Sequence, residues 1–190
     1  KLNDSAEIFG GFTQVTRAFV SSATSGPFAT TQAGFDALIA RGLKPEASDT
    51  FELGARYNDN VFNGVIGVYY VNFSNRLLGV ATGAGIVGNP AILQNVGSVR
   101  SIGFEAAGDV RLGGGVTLFG SYSYTGATYE DNVVTPTATI AIKGKDVVDT
   151  PKHLLRGEVA YDSDTFFGRV GANYMSKRYF TYLNDKSVPA

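Results

Sequence analysis

The chain has 190 residues, a formal net charge of -1, 24 glycines, 10 tyrosines, 13 phenylalanines, and neither cysteine nor tryptophan. So even a charge balance lacks the broad basic surface with which proteins displace counterions from phosphates, and nucleic acid is not an expected partner. The missing cysteines exclude disulfide frameworks, thiolate metal sites and thiol nucleophiles.

The opening Lys1, Leu2, Asn3, Asp4, Ser5 has no apolar signal core and no initiating methionine, so the chain is expected to be a piece of a longer protein. A first strand is expected over 7–15, followed by a long connection over 17–49. From Phe51, apolar Phe51, Leu53, Ala55 and Tyr57 alternate with Glu52, Gly54, Arg56 and Asn58. That period of two is a strand with one oily and one polar face. Asn58, Asp59 and Asn60 make a short turn into a strand over 61–74 that is apolar on both faces. The apolar part of that run is broken by Asn63, Gly64 and Gly67, and no other stretch reaches the ~18 residues a membrane helix needs. A second long connection covers 76–98.

From Ile102 the apolar set Ile102, Phe104, Ala106, Val110 opposes Ser101, Glu105 and Asp109. Three glycines, Gly113 to Gly115, then turn the chain into Val116, Leu118, Tyr122 and Tyr124 set against Thr117, Ser121 and Ser123, with Phe119 the exception on the polar side. A third long connection spans 126–150. Leu155, Val159 and Tyr161 oppose Arg156 and Glu158, the turn Asp162, Ser163, Asp164 follows, and Val170, Ala172 and Tyr174 oppose Arg169 and Asn173. The count is about seven strands.

Alternation by itself fits either a soluble sandwich or a lipid-facing wall. The connections favour the second: short turns alternate strictly with long loops of roughly 20 to 30 residues, so one end of the sheet is trimmed and the other elaborated, as in outer-membrane barrels. Strands of about 9 to 11 residues or more, and aromatics at their ends such as Tyr57, Tyr161 and Phe166, agree with that layout.

Three segments carry a family likeness: LKPEASDTFELGARY at 43–57, NVGSVRSIGFEAAG at 95–108 and DTPKHLLRGEVAY at 149–161. Their Lys-Pro-Glu before a Glu-Leu-Gly strand, Asn-x-Gly before a Gly-x-Glu strand, and Thr-Pro-x-His before a late strand resemble, in order and spacing, segments of TonB-dependent receptors. What the resemblance implies is all-β: an antiparallel transmembrane β-barrel segment, residues 1–190 being the C-terminal part of a barrel of about 22 strands. It also implies a bacterial outer-membrane transporter, not an enzyme, importing a ferric siderophore, cobalamin, saccharide or similar large solute. The implied partners are outer-membrane lipid, the protein's own plug domain and TonB through missing N-terminal parts, with closing strands absent as well. The open alternatives are a soluble β-sandwich binding module and the wall of a passive porin-type channel.

On this reading Glu52, Arg56, Glu105, Arg156, Glu158 and Arg169 face the lumen, where they pair with one another, hold the plug or meet solute. Lys177, Arg178, Tyr179 and Tyr182 form an aromatic and basic cluster at the loop mouth, expected to anchor at the interface or contact ligand. No catalytic, metal or cofactor residues are expected. GAGIVG at 83–88 matches the dinucleotide-binding letters, with Glu105 about 20 residues on, but Asn89, Pro90 and the β-patterned residues that follow leave no room for the helix that would receive the pyrophosphate. His153, the only histidine, has neither a serine elbow nor further zinc ligands and reads as a structural residue at a strand start. Glu130, Asp131 and Asn132 read as a solvated loop tip rather than a calcium site.

Overall fold

The computed structural model describes residues 1–17, 42, 44–81, 91–95, 97–134 and 139–190. One antiparallel sheet dominates. Its seven strands are β1 (Ala6–Arg17), β2 (Glu46–Asn58), β3 (Phe62–Ser74), β6 (Val99–Gly113), β7 (Val116–Tyr129), β10 (His153–Asp162) and β11 (Phe167–Met175), paired in that order as a simple meander. Small two-stranded ribbons decorate one end: β4 (Leu77–Ala81) with β5 (Ala91–Asn95), β8 (Val133–Val134) with β9 (Thr139–Ile140), and β12 (Arg178–Tyr179) with β13 (Ser187–Val188).

The expected rhythm of connections is present. β2–β3, β6–β7 and β10–β11 join by tight turns at one end, and all the ribbons lie at the other. At the first tight turn Asp59 accepts hydrogen bonds from the amides of Val61 and Phe62, both at 2.7 Å, and from the Tyr57 hydroxyl at 3.0 Å. At the second, Gly113, Gly114 and Gly115 all take positive φ, a conformation that side chains with a Cβ resist. Two details differ from the sequence expectation. The second strand starts at Glu46, inside the expected loop, because pairing with β1 continues to Arg17↔Glu46. The 76–98 connection carries the hairpin of β4 and β5, whose pairing runs from Leu77↔Asn95 to Ala81↔Ala91. GAGIVG lies outside the described residues, and the first described residues after it, Ala91–Asn95, form an antiparallel strand.

Opposed residues of an antiparallel pair share a face, so the register sorts every side chain. One face carries Phe12, Phe51, Tyr70, Ile102, then Leu53, Val68, Phe104, Tyr124, then Ile66, Ala106, Tyr122, Leu155, Tyr174, and lower down Val110, Leu118, Val159 and Val170. Between the Phe51 and Tyr161 levels this face holds no charged residue. From Phe62 to Tyr70, at about 3.3 Å per residue, it covers ~26 Å of strand, enough for a tilted crossing of a hydrocarbon layer. Nothing among the described residues covers it: Leu53, Val68, Ile102, Leu155 and Val170 are 58, 50, 51, 52 and 78% exposed. A sandwich would bury this face under a second sheet, so the soluble β-sandwich alternative is excluded by the single layer.

The buried residues sit elsewhere. Tyr129, Val133 and Ile142, with Val99 and Val147 against them, form a small core among the connections at the elaborated end.

Candidate functional site: the polar face and the loop rim

The second face of the sheet gathers all six expected lumen residues. Running across the strands at one level are Glu7, Arg56, Val65, Ala107, Ser121, Arg156 and Asn173. Above them lie Gly67, Glu105 and Ser123, and above those Glu52, Tyr69, Gly103 and Thr125. Below lie Asp109, Phe119 and Glu158, then Arg111, Thr117 and Arg169. Phe119, the exception in the alternation, does face this side, where the Arg156 guanidinium lies 5.7 Å from its ring centre. Arg56 uses Phe9 in the same way, at 5.1 Å. A cation over a ring keeps part of its charge stabilised without a carboxylate partner.

Acids and bases are unevenly matched on this wall. Glu158 holds two arginines, Arg156 at 2.8 Å and Arg169 at 3.6 Å. Glu52 and Glu105 make no ion pair among the described residues. They flank β3, where the Tyr69 ring lies over Gly103 and its hydroxyl meets Thr125 Oγ1 at 3.0 Å; a Cβ at Gly103 would fall 2.1 Å from the ring. A trough of about 830 Å³ has Glu52, Tyr69, Glu105, Ser121, Arg156 and Asn173 of this face around it, along with residues of the oily face such as Val68, Tyr122 and Leu155.

The three recognisable sequence segments meet the loops at the elaborated end. The Asn95 side chain brackets Lys44, its Oδ1 accepting from the Lys44 amide at 2.8 Å while its Nδ2 donates to the Lys44 carbonyl at 2.9 Å and the Asn75 carbonyl at 2.7 Å. Gly97, at φ +95°, has Asp131 so close that a Cβ would lie 2.6 Å from it, and Asp131 Oδ2 accepts from the Ser98 amide at 2.9 Å. Glu130 pairs with Arg100 at 3.1 Å and Asn132 Oδ1 accepts from the Lys143 amide at 3.0 Å. Asp131 and Asn132 are exposed at this tip, as expected, and the three side chains also tie neighbouring connections together. His153 starts β10 on the oily face, stacked with Tyr122 and tilted against Tyr124, its Nδ1 2.9 Å from the Tyr122 hydroxyl. Among the described residues no group of three metal-ligating side chains occurs.

The expected mouth residues are engaged within the chain. Lys177 lies on the Tyr179 ring, Arg178 Nε donates to Asp149 Oδ1 at 2.6 Å, and Tyr182 packs 5.9 Å from the Tyr129 ring. Sequence reading did not single out Tyr129, which is 1% exposed, or Arg76, whose guanidinium sits 5.2 Å from Tyr129 and 5.9 Å from Tyr182. No local pattern marks either residue, because the two rings and the cation come from separate parts of the chain.

A one-layer meander with an uncovered oily face, a polar second face, tight turns below and elaborate connections above is the wall of a membrane β-barrel. The family model described as "TonB dependent receptor-like, beta-barrel" matches residues 1–190, and the chain belongs to that family of transport receptors. Solved structures agree on the fold. The unliganded ferric citrate transporter FecA superposes with a TM-score of 0.70 at 20% identity, over 97% of this chain and 25% of that one. The ferric yersiniabactin uptake receptor FyuA from Yersinia pestis gives 0.69 at 18% identity, over 98% and 26%. The copper transporter OprC gives 0.67 at 18%, over 93% and 25%. This chain therefore spans about a quarter of the length of these structures.

Proposed function

We propose that the chain forms part of the wall of an outer-membrane active transporter that imports a large, scarce solute, a metal chelate first among the candidates, with energy delivered through TonB. The observation that carries this reading is the two-faced sheet: charges confined to one side would each cost about 2 to 4 kcal/mol if basic and turned into mid-membrane lipid, so that side bounds a watery or protein-filled interior. That FecA is a ferric citrate transporter, FyuA a ferric yersiniabactin uptake receptor and OprC a copper transporter supports the choice of a metal chelate over cobalamin or a saccharide.

On this proposal Glu52 and Glu105 supply unmatched negative charge to the interior, and the partner that fits them is a basic side chain of the plug seated in the trough. A passive channel would need no such seat, and membership of the receptor family disfavours it. The test is uptake by cells carrying the receptor-length gene, with the gene deleted and restored, using labelled ferric chelates under iron limitation. Accumulation should require both the gene and an energised inner membrane. Equal entry in de-energised cells would leave a passive pore, and no gene dependence for any metal chelate would remove the metal-chelate assignment.

A further inference from the structure

The connection over 139–150 and the segment over 176–190 are bound to each other at several points. The Asn184 side chain caps both backbone groups of Asp146, accepting from its amide at 2.7 Å and donating to its carbonyl at 3.0 Å. The Asp149 amide donates to the Tyr179 carbonyl at 2.7 Å, and the Asp149 carboxylate takes Arg178. Tyr129 fastens the same connection to the wall: its amide donates to the Lys145 carbonyl at 3.0 Å, its carbonyl accepts from the Gly144 amide at 2.7 Å, and its hydroxyl accepts from the Val148 amide at 3.3 Å. Tyr129 is buried, with Ile142 and Val133 packed against it.

Arg76 adds the third partner. It leaves the top of β3, its own amide is fixed to the Gly97 carbonyl at 3.0 Å, and its guanidinium lies against both Tyr129 and Tyr182. Among the described residues Arg76 has no carboxylate partner, whereas Arg17, Arg100 and Arg178 at the same end are each paired with one. Its planar cation is therefore committed to two rings, one at the end of β7 and one in the 176–190 segment.

We infer that Arg76 is a positioning residue that makes 139–150 and 176–190 one preformed rim of the mouth, so that these two segments move together or not at all. Without these contacts the two segments would be ordered separately when a solute arrives. A rim already joined presents its residues, Tyr182 among them, in fixed relation to the wall. This inference rests on the barrel fold and not on the identity of the solute.

The experiment is hydrogen exchange read by mass spectrometry on the receptor-length protein in detergent, comparing wild type with Arg76→Ala, Tyr182→Ala, Tyr182→Phe and Asn184→Ala. In the wild type the amides of Gly144, Asp146, Val147 and Asp149 should be protected. Arg76→Ala and Tyr182→Ala should each raise exchange in both segments together, by about tenfold. Tyr182→Phe keeps the ring and should leave both protected. Asn184→Ala lies at the outer rim, cannot unfold the strands, and should also loosen both. Unchanged protection in β6 and β7 reports that the barrel is intact. Rapid exchange of these amides in the wild type would overturn the inference, and so would loosening of one segment alone.

Discussion

Glu158 is the one carboxylate on the polar wall that serves two guanidinium groups, and its side chain is 18% exposed while those of Arg156 and Arg169 are 55 and 73% exposed. Replacing it by Gln leaves two cations on adjacent strands without their shared counter-charge. Because both arginines reach water, screening limits the penalty to about 1 kcal/mol or less. A small drop in the thermal midpoint of the receptor-length protein should result, and it should shrink as salt is raised. Gly103→Val tests a different contact. The added side chain would meet the Tyr69 ring, expel it from the wall and break its bond to Thr125, a loss of about 1 to 3 kcal/mol of the kind expected for overpacking. Gly120 offers a control on the other face, since nothing lies within 4 Å of a Cβ there, and Gly120→Ala should be close to neutral. Equal effects at the two glycines would contradict the assignment of Tyr69 to Gly103.

At the level of the strand, the two faces of β7 predict opposite responses to one substitution. Leu118→Arg places a guanidinium in lipid and should cost about 2 to 4 kcal/mol where the position lies near the midplane, while Ser121→Arg enters the polar trough and should cost far less. Denaturant unfolding of the receptor-length protein in vesicles distinguishes them, and equal costs would reverse or erase the two-face assignment. The β2–β3 turn makes a pH prediction. The Phe62 amide first, then the Val61 amide and the Tyr57 hydroxyl, hold the Asp59 carboxyl below the usual carboxylate range. A depressed value means the turn's contribution is complete above the ordinary pKa of about 3.9 and fades as acid protonates the folded form. Asp59→Ala should therefore lower stability at neutral pH and flatten the loss of stability on the acid side. These strands were legible because alternation and Asn, Asp and Gly turns are local signals. The Glu52, Arg56, Glu105, Arg156, Glu158 and Arg169 set followed from that parity alone. By contrast the bonds of Asn95 to Lys44 reach 51 positions along the chain, and the β4–β5 hairpin lies inside a segment whose glycines weaken any strand pattern. The mouth residues were recognised as a cluster, but their internal partners Asp149, Tyr129 and Arg76 could be found only once the connections were seen together.

Taken as a whole, the molecule has almost no water-excluding interior of its own. Its buried hydrophobic residues among those described are Ala127, Tyr129, Val133 and Ile142, all at the loop end, while the apolar side chains of the strands stand exposed. Burial worth about 25 cal/mol per Å² is thus unavailable to the sheet in water, and ladder hydrogen bonds alone do not offset the entropy of ordering a chain. The two outer strands add a second difficulty: among the described residues β1 and β11 each have one side without a partner strand, and Phe167 and Val170 on β11 are both 78% exposed. Unpaired edges of that kind template association. Residues 1–190 expressed alone should therefore aggregate in aqueous buffer. In detergent they should form strand-rich oligomers through the β1 and β11 edges. The receptor-length protein should instead run as a heat-modifiable monomer, because lipid covers the oily face and closure removes the edges. Sedimentation and circular dichroism on the two proteins decide the matter. A detergent-free monomer of the 190 residues with a cooperative melt would mean that the oily face finds a cover within the chain, and the wall reading would fall with it.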